Sequence, residues 1–162
     1  MTSARSLRLH ANCVSLDGAG VLLRGPSGAG KSDLTLRLID AGAATLVADD
    51  QTIVTRQGDE LFGHAPDTLA GRLEVRGLGI VDMPFTPRVR IVLAADLMPA
   101  DEIVRLPEAG DLTEAILDLD VARVAVDPSL PGAAARLRIA VRHLCVPQEA
   151  AGNLGLVAPV QK

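Results

Sequence analysis

Polar and apolar residues alternate from Leu7 to Leu16, the two-residue period of a half-buried strand. Asp17-Gly18-Ala19-Gly20 supplies a tight turn, and Val21 to Arg24 predicts a second short strand, so the two read as a hairpin. The period changes after a glycine-rich stretch, Gly25 to Gly30. From Lys31 onward Leu34, Leu38 and Ile39 share one face of a helix that Ala41-Gly42 closes. Thr45 to Ala48 is an apolar strand ending in Asp49-Asp50. Gln51 to Arg56 and Glu60 to Gly63 flank Gly58-Asp59 as another hairpin. Ala65 to Arg72 carries proline and glycine and predicts a loop or short helix. Leu73 to Arg76 runs into Gly77-Leu78-Gly79 and then Ile80-Val81. Val89 to Ala95 is the strongest remaining strand, with Ile103 to Leu106 and Val121 to Val126 as shorter candidates. Ala133 to Leu144, behind Pro131-Gly132, predicts a helix. This mixture predicts one α/β domain over residues 1–146, its hairpins making the sheet mixed rather than purely parallel. The segment 147–162, rich in Ala, Gly and Pro, predicts a poorly ordered tail.

Composition narrows the chemistry. The 162 residues are 48% hydrophobic, yet the only aromatic residues are Phe62 and Phe85, so the core must be aliphatic. Base-stacking recognition of single-stranded nucleic acid needs aromatic faces that this chain lacks. A net charge of −4 and a pI near 5.3 also argue against a nucleic-acid partner. Cys13 and Cys145 have no metal-type spacing and read as small buried hydrophobes in a reducing compartment. The stretch Met1 to Ser15 lacks the apolar core of a secretory signal, and no apolar run approaches the ~18 residues of a membrane span. A soluble, cytoplasmic protein is expected, without membrane association. Zinc spacings and a G-x-S-x-G elbow are both missing from the sequence.

The strongest motif is Gly25-Pro26-Ser27-Gly28-Ala29-Gly30-Lys31-Ser32, which matches G-x-x-x-x-G-K-[ST]. Successive backbone N–H groups of such a loop converge on polyphosphate oxygens, and the following helix adds its positive end. Lys31 is placed to reach the β- and γ-phosphates, and the Ser32 hydroxyl to coordinate Mg²⁺. A strand before the loop and an amphipathic helix after it are the setting this chemistry requires.

Asp49 and Asp50 end an apolar strand, where successive side chains point to opposite faces. One of them is then expected on the Mg–ATP side and the other facing an incoming nucleophile. Glu74-Val75-Arg76-Gly77-Leu78-Gly79-Ile80 combines an acid, a base and two glycines. Glu74 is a candidate oxygen ligand for Mg²⁺, and Arg76 a candidate for stabilising phosphoryl charge or gripping an acidic partner; a surface ion pair beside a turn is the alternative. His10 lies on the strand before the loop, and His64 and His143 offer no more than structural roles.

Taken in this order, His10-Ala11-Asn12-Cys13-Val14, the loop, Leu46-Val47-Ala48-Asp49-Asp50 and Glu74 to Ile80 resemble the catalytic domain of HPr kinase/phosphorylase. That bacterial enzyme acts on a serine of the phosphocarrier protein HPr. The resemblance runs from about His10 to Leu97 and is nearest to the short alphaproteobacterial versions, which lack the N-terminal domain of longer members. It implies a P-loop fold of the phosphoenolpyruvate-carboxykinase type with a mixed sheet and few helices. It also implies ATP and Mg²⁺ as cofactors, HPr as partner, and a homo-oligomer, hexameric in the family. Carried over by position, the nucleotide loop falls on Gly25, Pro26, Ser27, Gly28, Ala29, Gly30, Lys31 and Ser32. The metal ligands fall on Ser32 and Glu74 with Asp49 on the metal side. The proton acceptor falls on Asp50, beside a site histidine at His10. Arg105, in Glu102-Ile103-Val104-Arg105-Leu106, aligns with a family arginine, and Arg76, Gly77 and Gly79 fall on the partner and phosphoryl side. The stretch Asp127 to Ala133 has no lysine where larger members carry a lysine-bearing loop tied to the phosphorylase direction, which argues against that reverse reaction. A non-catalytic ATP-binding regulatory module and a small-metabolite kinase are the alternatives.

Overall fold

The computed structural model describes residues 4–145, and its first departure from the alternating pattern comes at His10. The expected continuous strand is two strands, β1 (Ser6–Leu9) and β2 (Ala11–Leu16). Polarity continues to alternate through the bend between them, so the pattern alone does not reveal it. The partners do. β1 pairs with β5 (Thr52–Gln57), whereas β2 lies between β3 (Ala19–Arg24) and β4 (Ala44–Ala48), all antiparallel.

The sheet is built around β9 (Val89–Leu97), which runs parallel to β3 and to β11 (Leu119–Val126). Its first two residues pair antiparallel with β6 (Glu60–His64), which continues through β5 to β1. β10 (Thr113–Ile116) closes the other end against β11. Close packing of β3 on β9 requires Gly20, where a Cβ would lie 2.3 Å from the Arg90 carbonyl oxygen. β7 (Arg72–Val75) and β8 (Gly79–Asp82) form a separate hairpin.

Alternate residues of the central strands enter two different cores, so the sheet is buried on both faces and its strands read as nearly continuous apolar runs. Val14, Val21, Leu23, Leu93 and Ala95 pack beneath the helices α1 (Lys31–Asp40) and α2 (Ala133–Leu144). Cys13, Leu22 and Ala94 face the opposite layer with Val54 and Leu61. In α1 Leu34 and Leu38 are fully buried, as the periodicity requires, while Ile39 is half-buried. Gly42 ends this helix in a left-handed conformation, with its N–H on the Ile39 carbonyl and that of Ala43 on Leu38.

The stretch Ile103 to Leu106 is not a strand. It follows a single 3₁₀ turn, Ala100–Glu102, and Val104 and Leu106 are 64% and 79% exposed. The strand that pairs there is β10, whose sequence Thr-Glu-Ala-Ile carries too little apolar signal to be read alone. The expected tail lies outside the described residues. The architecture is the mixed α/β P-loop type expected, with two α-helices among the described residues.

Candidate active site

The glycine-rich loop joins β3 to α1, and left-handed Gly28 (φ 82) and Gly30 (φ 99) turn it tightly. Lys31, the first residue of α1, is buried and donates to the carbonyls of Gly25 (2.7 Å) and Pro26 (3.0 Å). A buried ammonium is tolerable only when hydrogen-bonded, and these bonds hold it across the loop mouth. A phosphate oxygen entering there exchanges neutral carbonyl contacts for a stronger charge-assisted bond.

Opposite the loop, Asp49 and Asp50 follow the end of β4 in a bend, and they point in two directions because Asp50 leaves the strand in a left-handed conformation rather than by strand alternation. Asp49 turns inward: its Oδ1 accepts from the Ser32 hydroxyl (2.8 Å) and its Oδ2 from the Glu74 backbone N–H (2.9 Å). Asp50 turns outward, with Oδ1 3.1 Å from His10 Nε2 and both side chains more than half exposed. The bend at His10 that divides β1 from β2 is what brings the imidazole to this carboxylate. Asp50 itself has φ 64, a left-handed conformation unusual for a residue with a Cβ.

Asn12 organises the pair, a role the sequence did not signal beyond its place in a shared motif. Its side chain is fully buried on β2. Nδ2 donates to Asp49 Oδ1 (2.9 Å) and Thr35 Oγ1 (3.0 Å), and Oδ1 accepts from the Asp50 N–H (2.8 Å). The Thr35 hydroxyl in turn donates to the Lys31 carbonyl (2.8 Å). One amide therefore ties β2, the first turn of α1 and the two aspartates together, with both its donors and its acceptor satisfied.

Among the described residues no cluster of three His, Cys, Asp or Glu side chains is suited to hold a metal without help. The adjacent Ser32 and Asp49 oxygens nevertheless fit Mg²⁺, which keeps waters and takes its remaining ligands from substrate phosphates. It is the amide of Glu74, not its carboxylate, that contacts Asp49; the side chain is exposed. Gly77 (φ 90) and Gly79 (φ 98) make the turn of the β7–β8 hairpin, with Arg76 exposed beside them. Arg105 lies in exposed coil after the 3₁₀ turn, and the structure does not bring it into contact with the aspartates.

A second feature was invisible in the sequence. A cavity of about 720 Å³ opens on the other flank of the loop, between Gly25 to Ala29, the end of β9 through Pro99, and Asp127-Pro128-Ser129. Two of its lining residues, Arg24 and Asp96, belong to a charge network: Arg24 pairs with Asp96 (2.9 Å) and with Glu114, and Arg123 pairs with Asp96 (2.8 Å). Burial opposes the charge on Arg24, but Glu114 and Asp96 more than offset it and hold its proton more tightly than usual. Asp127 accepts from the Ser129 hydroxyl (2.6 Å) and N–H (2.9 Å) and from the Ala100 N–H (2.9 Å), and these donors hold its carboxyl below the usual range. The Arg37 side chain anchors the Pro128 carbonyl to α1. An arginine ending one strand and an aspartate ending another are the only traces such a network leaves in sequence.

Comparison with known proteins agrees with this geometry. The profile of the HPr Serine kinase C-terminal domain matches residues 2–127. The HPr kinase/phosphorylase of Geobacillus thermodenitrificans is 38% identical over 140 residues, covering 80% of this chain and 44% of that protein. That of Bordetella avium is 37% identical over 132 residues, covering 75% and 42%. The chain thus spans less than half the length of these curated relatives. A solved structure of the Hpr(Ser) kinase/phosphatase from Coxiella burnetii superposes with a TM-score of 0.75 at 28% identity, covering 91% of this chain and 96% of that one. With the loop, the aspartate pair and the matched profile all in agreement, this chain belongs to the HPr serine kinase C-terminal domain family.

Proposed function

We propose that this protein is an ATP- and Mg²⁺-dependent serine protein kinase whose acceptor is HPr or an HPr-like phosphocarrier. The observation that carries the reading is the division of labour between adjacent aspartates: Asp49 bonded to Ser32 beside the loop, Asp50 turned outward to His10. The loop amides and Lys31 hold the polyphosphate, and Ser32 and Asp49, with Glu74 nearby, hold Mg²⁺, which neutralises charge developing on the phosphates. Asp50 accepts the proton of the acceptor serine as its oxygen bonds to the γ-phosphorus. The bond from that phosphorus to the bridging β–γ oxygen breaks, and ADP leaves with the electron pair. His10 orients the Asp50 carboxylate, and Arg76 and Arg105 approach the phosphoryl group or the acceptor protein once it docks.

Large exposed apolar side chains, Leu78 (80%) and Ile80 (72%) on the hairpin, support a homo-oligomeric state and a docking role for this region. No helix among the described residues is long and apolar enough to cross a membrane, and we place the enzyme in the cytoplasm. The decisive experiment incubates the protein with ATP, MgCl₂ and purified HPr and maps phosphoserine by mass spectrometry. Transfer to one HPr serine is expected, with reversal by orthophosphate much slower. Failure to label HPr or any HPr-like carrier refutes the proposal.

A further inference from the structure

Thr52 is fully buried, and its hydroxyl takes no part in the chemistry at Asp50. It donates instead to the Ala11 carbonyl (2.8 Å), at the junction where two strand pairs meet. On one side of the junction β1 pairs with β5, ending with Leu9 opposite Thr52. On the other side β2 pairs with β4, beginning with Cys13 opposite Ala48. Both ladders are antiparallel, and they share one register across the gap. His10, Ala11 and Asn12 therefore lie where Gln51, Asp50 and Asp49 would face them in an unbroken ladder.

The ladder is broken because side chains take both halves of the missing backbone bond. The Asp50 N–H donates to Asn12 Oδ1 (2.8 Å), and the Ala11 carbonyl accepts from Thr52. Buried backbone groups require partners, so these two side chains make the open form possible.

The break decides whether His10 and Asp50 can meet. Residues directly opposite in a ladder share a face, and successive residues alternate. An unbroken ladder would set His10 beside Gln51 and turn Asp50 to the other face of the sheet, in extended backbone. In the broken form Asp50 has φ 64, and its Oδ1 lies 3.1 Å from His10 Nε2. Removing the Thr52 hydroxyl leaves the Ala11 carbonyl a buried acceptor without its partner. The donor that the register offers in its place is the Asp50 N–H, and taking it closes the ladder.

We propose that Thr52 is a positioning residue: by occupying the Ala11 carbonyl it keeps the ladder open and holds Asp50 against His10. The inference rests on the reading of Asp50 as proton acceptor, and its test separates the two. Thr52→Val keeps the shape of the side chain and removes the bond, whereas Thr52→Ser keeps the bond. Kinetics with ATP, MgCl₂ and HPr are measured well below the melting transition, and the Thr52→Val crystal structure is solved. For Thr52→Val we expect kcat to fall by roughly ten- to a hundred-fold, the effect of a carboxylate displaced by about 1 Å. KM for ATP should stay within about two-fold, and Thr52→Ser should keep kcat within about three-fold. In the Thr52→Val crystal Asp50 should face Ala11 in extended backbone, away from His10. A threonine that merely fills the core would lower stability without moving kcat, and that result overturns the inference. So does a Thr52→Ser variant as slow as Thr52→Val, or a KM for ATP that rises as kcat falls. A Thr52→Val crystal in which Asp50 keeps its left-handed turn and its His10 contact overturns it whatever the kinetics. If the wild-type protein labels no carrier, the kinase reading has failed, and the crystal structure alone decides the role of Thr52.

Discussion

Replacing Asn12 with leucine keeps nearly the same volume and removes every polar contact of the buried amide. Three close bonds are lost, to Asp49 Oδ1, to Thr35 Oγ1 and from the Asp50 N–H, together with a long 3.5 Å contact to Ser32 Oγ. A bond to a charged carboxylate contributes about 1.5–3 kcal/mol and a neutral one about 0.5–1.5 kcal/mol. The sum would reach about 4 kcal/mol, but the aspartates lie near solvent and water recovers part of it. A loss of about 2–3 kcal/mol in unfolding free energy is therefore expected. The effect on catalysis is separate. Without Asn12 Oδ1 the Asp50 amide loses its side-chain acceptor, leaving the Gln51 N–H to Asp49 carbonyl bond to hold a left-handed turn that costs a residue with a Cβ about 1–2 kcal/mol, and the carboxylate shifts. Displacement by about 1 Å costs on the order of 10²-fold in rate. The assay measures kcat and KM for ATP at a temperature well below the melting transition, alongside chemical denaturation. Thr35→Val is the control: it breaks the bond between Asn12 and α1 without touching either aspartate. The expected result is a 30- to 100-fold fall in kcat for Asn12→Leu with KM for ATP within about three-fold, while Thr35→Val loses stability but keeps kcat within about two-fold. Equal kcat in both variants would show that Asn12 merely packs the core, and would refute the reasoning.

Asp50→Asn should lower kcat by about 10²–10⁴-fold, the usual contribution of a positioned base, while equilibrium dialysis shows ATP binding unchanged. Weakened ATP binding would place Asp50 with the metal instead. The thiols should be nearly inert in the native protein at pH 8. Burial pushes Cys13 far above the ordinary thiol range and Cys145 up to about 11. Thiolate at Cys145 is then about one part in a thousand, and its labelling by a thiol reagent should accelerate tenfold per pH unit up to pH 11. Rapid labelling of two thiols at pH 8 without denaturant would contradict that burial.

Much of the site was legible because local rules set it. The loop needs its glycines for left-handed turns at Gly28 and Gly30, and the helix behind it follows from the spacing of Leu34 and Leu38. The expected divergence of Asp49 and Asp50 is found, but a left-handed bend just past β4 produces it, not alternation along the strand. The bend at His10 was not legible, because a chain passing from β5 to the β3–β4 neighbourhood keeps its polarity pattern. The Ile103 to Leu106 stretch misled for a related reason: an apolar run forms a strand only where an edge receives it, and this one has none. Instead the weakly apolar β10 found its edge on β11.

The sequence by itself determined the elements whose causes lie within a few residues: the phosphate loop, both helices and most strands. Tertiary structure alone decided which distant groups meet. It set Asn12 between Asp49 and Asp50, turned His10 onto Asp50, joined Arg24 to Asp96 and Glu114, and closed a cavity between the loop and Asp127. The physical reason is that period and turn chemistry act through neighbouring residues, while register, bends and side-chain pairs depend on how β9 and β2 dock between other strands. A pairing across tens of residues leaves no local pattern, because each partner alone is just another polar residue at a strand's end.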